Sequence, residues 1–180
     1  MTAQHPEGPT QAAGLRFAEL PGVGGGRHSL SELAGERATV LVFISGGCPT
    51  ARSYEDRLIR LQARWHRAGV RLVAVNPNNP HLSPPDTLEE MAGRSAMRGF
   101  NFPYLKDAGG AVAREYGVVC TPHAVVLDSN LAVVYTGRID DSRTGTGISS
   151  HDLEAAIADT VAGRPVAIHK TEPFGCSVIW

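Results

Sequence analysis

The sequence predicts an α/β domain with a central mixed β-sheet flanked by helices, and three stretches predict it. Residues 38–44 form a nearly unbroken β-prone apolar run, the pattern of a central strand buried on both faces. Residues 70–75 form a second such run, and the amphipathic segment between the two completes a βαβ unit, parallel and right-handed by default. Residues 123–127 and 132–136 are two further β-rich runs joined by Asp128-Ser129-Asn130, which is the turn chemistry of an antiparallel hairpin.

Taken in order, residues 1–14 are rich in Pro, Gly, Gln and Ala without periodicity and read as a flexible leader. Residues 15–20 alternate weakly, as an edge strand does. Gly22 and Gly24 to Gly26 read as a hairpin or loop turn rather than a phosphate-binding loop, because no buried strand precedes them and no long helix follows. Ser29 to Leu33 reads as one helical turn. The central strand then ends at Ser45-Gly46-Gly47, where the chain turns, and Pro49 is pre-set for the first position of a helix, so that Cys48 falls at the N-cap. Orphan backbone N–H groups and the positive end of the helix dipole favour an anion there, which draws a thiol toward the nucleophilic thiolate. The blander role of a lone cysteine is that of a small buried hydrophobe.

Within that helix Tyr54, Leu58, Leu61 and Trp65 recur at helical spacing and predict its buried face. Arg52 and Asp56, one turn apart, are expected to pair on the solvated side. Gly69 stops the helix. Residues 76–85 hold 4 prolines, exclude regular structure and leave the sheet at a strand's carboxyl end, the side on which open α/β sheets bind ligands. They are a candidate rim of the site, with His81 expected to be exposed. Asp86 is expected to cap the next helix with Glu89 as its reciprocal partner, Leu88, Met91 and Ser95 facing inward. Residues 102–105 read as extended, 106–110 as a turn and 111–116 as a short helix ended by Gly117. Beyond the hairpin, residues 142–147 read as a flexible polar connector, and Ser150 as the cap of a final helix in which Leu153, Ile157 and Val161 recur. Residues 164–180 form a tail without helical period that ends too apolar to be a mere solvated end. The expected divisions are therefore a leader at 1–14, a domain at 15–163 and a tail at 164–180 carrying Cys176.

Composition narrows the function. The 180 residues are 42% hydrophobic and 19% charged, globular values for one domain. The formal charge of −1 and the absence of a basic stripe with interleaved aromatics argue against nucleic acid as a partner. No apolar run approaches the length of a membrane span, and no secretory signal pattern opens the chain, so the expected location is cytoplasmic. The 3 cysteines, Cys48, Cys120 and Cys176, are too few for a disulfide scaffold.

The element order, with cysteine at the first helix N-cap and Thr121-Pro122 opening the hairpin, resembles the thioredoxin-like fold over about residues 15 to 163. The match is closest to the peroxiredoxin-like branch of the redoxins, related to the alkyl hydroperoxide reductase and thiol-specific antioxidant family. The residues that carry it are Gly47-Cys48-Pro49, Tyr54-Glu55-Asp56-Arg57-Leu58, Phe102-Pro103-Tyr104-Leu105-Lys106-Asp107, Cys120-Thr121-Pro122, Gly137-Arg138-Ile139-Asp140-Asp141 and Gly175-Cys176-Ser177. The resemblance implies a cis peptide bond before Pro122, lying against Cys48, and a site with Pro49, Thr121, Pro122 and Arg138 toward the substrate. There are departures. Ala51 stands where thioredoxins carry their second cysteine. Leu41 replaces the proline of Pro-x-x-x-Thr-x-x-Cys, with Ser45 in the threonine position offering a hydroxyl to a peroxide. Val134 or Tyr135 occupies the place of the family's catalytic arginine, and Arg138 lies several residues beyond.

This reading makes the protein a thiol-based oxidoreductase that needs no metal or organic cofactor. Cys48 attacks a peroxide or a protein disulfide, Cys120 or Cys176 resolves the product, and a thiol electron donor restores the dithiol. The 13 residues from Gly163 to Cys176 extend at most roughly 43 to 47 Å, enough to bring the tail to its own site or to that of a second copy in a homodimer. Two other classes stand beside it. One is a non-catalytic binding or regulatory domain that docks an extended peptide along Thr121-Pro122. The other is soft-metal handling by Cys48, Cys120 and His123.

Overall fold

The computed structural model describes residues 19–180, so the leader and most of the weak edge-strand reading lie outside the described residues. A small hairpin comes first, β1 (Leu20–Pro21) with β2 (Arg27–His28), and the glycines between them make its turn as expected. Helix α1 (Leu30–Leu33) follows, its capping box formed by Ser29 and Glu32. The chain then runs through β3 (Ala38–Phe43), α2 (Pro49–Trp65), β4 (Val70–Asn76), α3 (Leu88–Arg98) and β5 (Tyr104–Lys106). It continues with α4 (Ala111–Glu115), β6 (Cys120–Thr121), the hairpin β7 (His123–Asp128) and β8 (Val133–Gly137), α5 (Asp152–Val161) and, in the tail, β9 (Cys176–Ser177).

The main sheet has the order β5-β4-β3-β7-β8, parallel from β5 to β3 and antiparallel from β3 through β7 to β8. Strand β3 lies at its centre with every residue buried, as its unbroken apolar run predicts. Alternation along the strand divides the core. Val40 and Val42 face Tyr54 and Leu58 of α2, Met91 of α3 and Leu153 and Ile157 of α5, whereas Leu41 and Phe43 face Leu30 and Leu33 of α1 and Val112 of α4. Tyr54 and Leu58 are fully buried, which at ordinary transfer values is worth about 1.5–3 kcal/mol for the leucine.

Several local expectations are corrected. The buried line of α2 runs through Ala51, Tyr54, Glu55, Leu58 and Gln62, while Leu61 and Trp65 are only half-buried. Gln62 is inside because β5 pairs only with the last residues of β4. The open edge before them needs partners, and Gln62 accepts from Leu72 N and donates to Val70 O. The Arg52–Asp56 pair does not form: Arg52 donates to the Gly46 carbonyl and Asp56 pairs with Arg98. Helix α3 is capped by Thr87 rather than Asp86, Leu88 is exposed, and residues 84–86 make a 3₁₀ turn inside the proline-rich loop. Ser150 bonds Asp152 within the first turn of α5, but His151 holds the cap position. The 142–147 connector is pinned by Arg57, which donates to Ser142 O, and by Ser142 Oγ, which donates to Thr146 O.

The tail packs on the domain from one side of the sheet to the other. Its main chain pairs with Thr136 on the outer edge of β8, Phe174 and Cys176 lie on the α2 side, and Val178 is buried in the α1–α4 core. Close approach fixes its path, for a Cβ at Gly175 would stand 1.9 Å from the Thr121 carbonyl oxygen.

Glu55 ties α2 to α3. Its carboxylate is almost fully buried and receives Arg94 through two bonds of 2.5 and 2.8 Å, with Arg98 at 3.2 Å. Glu55→Gln leaves two guanidinium groups facing a neutral amide. Because both arginines keep some access to water, the expected loss is about 2 kcal/mol, below the full cost of breaking a buried pair. Urea unfolding checks it, as a lowered midpoint with an unchanged slope.

Candidate active site

Cys48 is the N-cap of α2, with Pro49 at the first helical position, and is 2% exposed. Its Sγ accepts a hydrogen bond from Ala51 N at 3.3 Å and, as a thiol, donates to the Thr121 carbonyl at 3.1 Å. The Thr121–Pro122 peptide bond is cis and lies against the sulfur, as the family resemblance implies. Thr121 and His123 flank that proline, each with a buried side-chain atom that has no well-formed hydrogen bond, Thr121 Oγ1 and His123 Nδ1.

The tail completes the site. Strand β9 pairs antiparallel with β6 so that Cys176 stands opposite Thr121 and Ser177 opposite Cys120. Opposed residues of an antiparallel pair share a face and successive residues alternate, so Cys176 projects on the Thr121 side and Cys120 on the reverse. Cys176 packs against the core that holds Cys48, near enough for the two sulfurs to interact. Burial on its own pushes the Cys48 thiol up, yet hydrogen bonding from the Cys176 thiol and the Ala51 N–H outweighs it and holds the group below its ordinary value. Cys176 shifts upward, through burial and through its hydrogen bond to Cys48. Cys120 is pushed up by burial and by the neighbouring sulfurs and Glu172, with Arg143 opposing. Cys48 is thus shifted toward the more acidic and Cys176 toward the less acidic side of an ordinary thiol.

Behind Cys48 lies a polar cluster. Asp86, fully buried, accepts from Ser45 Oγ, Gly46 N, Asn76 Nδ2, Asn78 Nδ2 and Ser83 Oγ. Burial opposes its charge, but these side-chain donors overcome burial and keep the carboxyl below its usual range. Lys106 donates to Asn76 Oδ1 and to the Asn78 carbonyl and is lowered to about 8, chiefly by burial.

The predicted site residues fall into two groups. Cys48, Pro49, Thr121, Pro122, Cys120 and Cys176 come together. Ser45 is adjacent, but its proton is spent on Asp86, which removes it as a donor to peroxide. Arg138, expected toward the substrate, is paired through Nε with Asp152 at the start of α5 at 2.7 Å. Arg143, in the stretch read as a connector, stacks over Phe174 of the tail and opposes the upward shift of Cys120. Asn76, Asn78 and Asp86 were missed, since loop polarity gives no sign that a loop is buried. His81 is exposed as expected. His123 shares Nε2 with Thr136 Oγ1 at 2.8 Å and is lowered to about 4, mainly by burial. Among the described residues no group of three His, Cys, Asp or Glu is placed to hold a metal ion. A cavity of about 480 Å³ between α2 and residues 139–154 contains none of the cysteines in its lining.

A thiol at a helix N-cap against a cis-proline loop, on a sheet of this order, defines a redoxin of the thioredoxin-like fold. The chain belongs to the AhpC/TSA family, whose model matches residues 15–138. It is similar to a solved conserved protein of Geobacillus kaustophilus, 34% identical, covering 96% of this chain and 92% of that one with a TM-score of 0.88. It is likewise similar to a solved hypothetical protein of Sinorhizobium meliloti 1021, 32% identical over 94% and 93% of the two chains, TM-score 0.87. A curated relative, the thiol-disulfide oxidoreductase ResA of Halalkalibacterium halodurans, is 28% identical over 110 residues. That match covers 60% of this chain and 58% of the relative's length.

The facing-thiol geometry predicts how each cysteine variant moves Cys48. In the intact protein the thiolate persists to pH values below about 8.5, the unperturbed midpoint, and so does alkylation by iodoacetamide. Cys176→Ala removes a donor to the charged form and raises the inflection. Cys120→Ala, whose side chain faces the other way, does not raise it. Rates measured from pH 5 to 10, with the adduct mapped by mass, test both.

Proposed function

We propose that the protein is a thiol–disulfide oxidoreductase in which Cys48 is the nucleophile and Cys176 resolves. The placement of Cys176 opposite Thr121, near enough to Cys48 for the two sulfurs to interact, carries the reading. The Cys48 thiolate attacks one sulfur of a substrate disulfide, forming a mixed disulfide and expelling the other sulfur as thiolate. Cys176 then attacks Cys48, giving up its proton to the departing thiolate, and a Cys48–Cys176 disulfide closes as the substrate leaves fully reduced. A thiol donor returns the pair to the dithiol, in keeping with work in a reducing compartment such as the cytoplasm.

A disulfide is favoured over a peroxide as oxidant because the two groups that would polarise an O–O bond are engaged elsewhere. Ser45 donates to Asp86, and Arg138 is paired with Asp152. A purely binding role is disfavoured by occupancy, since β9 already covers the Thr121 edge on which a peptide would dock.

Reduced protein is mixed with a small aromatic disulfide or with hydrogen peroxide, quenched with acid and digested without reductant. A Cys48–Cys176 linked peptide is expected from both, forming faster with the disulfide. A Cys48–Cys120 link, or overoxidised Cys48 beside unmodified Cys176, contradicts the assignment. Cys48→Ser abolishes the reaction, whereas Cys176→Ser stops at a mixed disulfide detectable by intact mass.

A further inference from the structure

Cys176 faces Cys48 only while the tail keeps its register, because a slip of one residue would turn the Cys176 side chain to the opposite face. Gly175 limits how the chain can move but supplies no hydrogen-bonding side chain. The main chain beyond β9 is held at two places. Val178 N donates to Val119 O at 3.0 Å, and Ile179 is bracketed at both its polar groups. Its N–H donates to Asn78 Oδ1 at 2.9 Å, and its carbonyl accepts from Asn79 N.

The Asn78 carboxamide is 4% exposed and has a second set of partners. Its Nδ2 donates to Ser45 Oγ at 3.0 Å and to Asp86 Oδ2 at 2.9 Å. The orientation of the amide follows from chemistry: a carboxylate takes only donors and a peptide N–H needs an acceptor, so nitrogen faces Asp86 and oxygen faces Ile179. The residue itself is braced from outside, its N–H donating to Asn76 Oδ1 and its carbonyl accepting from Lys106 Nζ. One amide therefore bonds the segment that carries the resolving thiol and the loop that presents the nucleophile.

We propose that Asn78 is the positioning residue for resolution, holding the tail in the register that sets Cys176 against Cys48. This rests on the assignment of Cys176 given above. Asn78 touches neither sulfur and takes no part in bond exchange. Its role is to tie Ile179 to the Ser45–Asp86 frame, so that the two reacting sulfurs share one rigid support. Loss of the tie frees the tail beyond β9, and the Cys176 thiol departs from its neighbour for part of the time.

The test compares the intact chain with Asn78→Ala, which deletes the tie, and with Ile179→Pro, which removes the donating N–H from the tail side and leaves the buried cluster untouched. In fully reduced protein both variants are expected to speed alkylation of Cys176 by about tenfold, the equilibrium value of one hydrogen bond of ordinary net strength. Both should also move the Cys48 inflection toward its unperturbed position and slow Cys48–Cys176 closure by a similar factor. A lowered urea midpoint with wild-type thiol rates in both variants overturns the proposal and makes Asn78 a structural residue only. Where Asn78→Ala fails to fold, Ile179→Pro decides alone, fast Cys176 alkylation supporting the tie and a wild-type rate refuting it. The alkylation measurements need no oxidant, so failure of wild-type protein to form the Cys48–Cys176 disulfide counts against the assigned function and leaves the test of Asn78 intact.

Discussion

The carboxylate of Asp86 is the constraint on which the site depends. A charge with no exposure is tolerable only where its oxygens are saturated, and here five groups saturate them. Each donor belongs to a part that has to be placed. Ser45 and Gly46 are the turn before Cys48, Asn76 is the end of β4, and Asn78 and Ser83 belong to the proline-rich loop. One buried anion thereby joins the ends of two neighbouring parallel strands to the loop that leaves one of them. Lys106 at the end of β5 draws a third strand in through Asn76 and Asn78. The result is a polar floor under the nucleophile, built where the parallel strands end.

Above that floor the chemistry is set by sidedness. The cysteines of β6 and β9 are neighbours in space, but only Cys176 shares a face with Thr121 and packs against the core that holds Cys48. Under the assignment proposed above, the division of labour among the three sulfurs rests on the alternation of an extended chain, one of the simplest rules of protein geometry. Without it, proximity would not distinguish Cys120 from Cys176. Burial raises all three, and only Cys48 gathers enough donors to reverse the effect.

The sheet and the position of Cys48 were legible because each is announced locally. The buried run of β3, the helix opened by Pro49 and the hairpin turn all lie within a few residues of their own signals. The cis bond before Pro122 was legible only through family resemblance. What escaped detection is held by partners distant in the chain. Asp86 next to Thr87, with Glu89 and Glu90 following, looks like the start of a helix, and nothing nearby shows that its donors include a serine 41 residues earlier. The apolar spacing of α2 gives no sign that Glu55 and Gln62 are buried, yet their arginine and strand-edge partners draw them inside. The pairing of Arg138 with Asp152, 14 residues on, was likewise not announced by anything near it in the chain. Of the apolar end of the tail Val178 is buried while Ile179 and Trp180 are exposed, and the close approach at Gly175 that fixes its path is something no periodicity reveals.

The strand pairing of the tail also bears on competition among thiols. A resolving group seated beside its target reacts as though present at an effective molarity far above any dissolved thiol, because its translational and rotational freedom has already been surrendered. Under the assignment proposed above, a dissolved thiol would then rarely reach a newly formed mixed disulfide before Cys176 does. A partner captured on Cys48 would be short-lived in the intact chain, and its isolation would call for a protein in which the tail can still lie in place but has lost its sulfur.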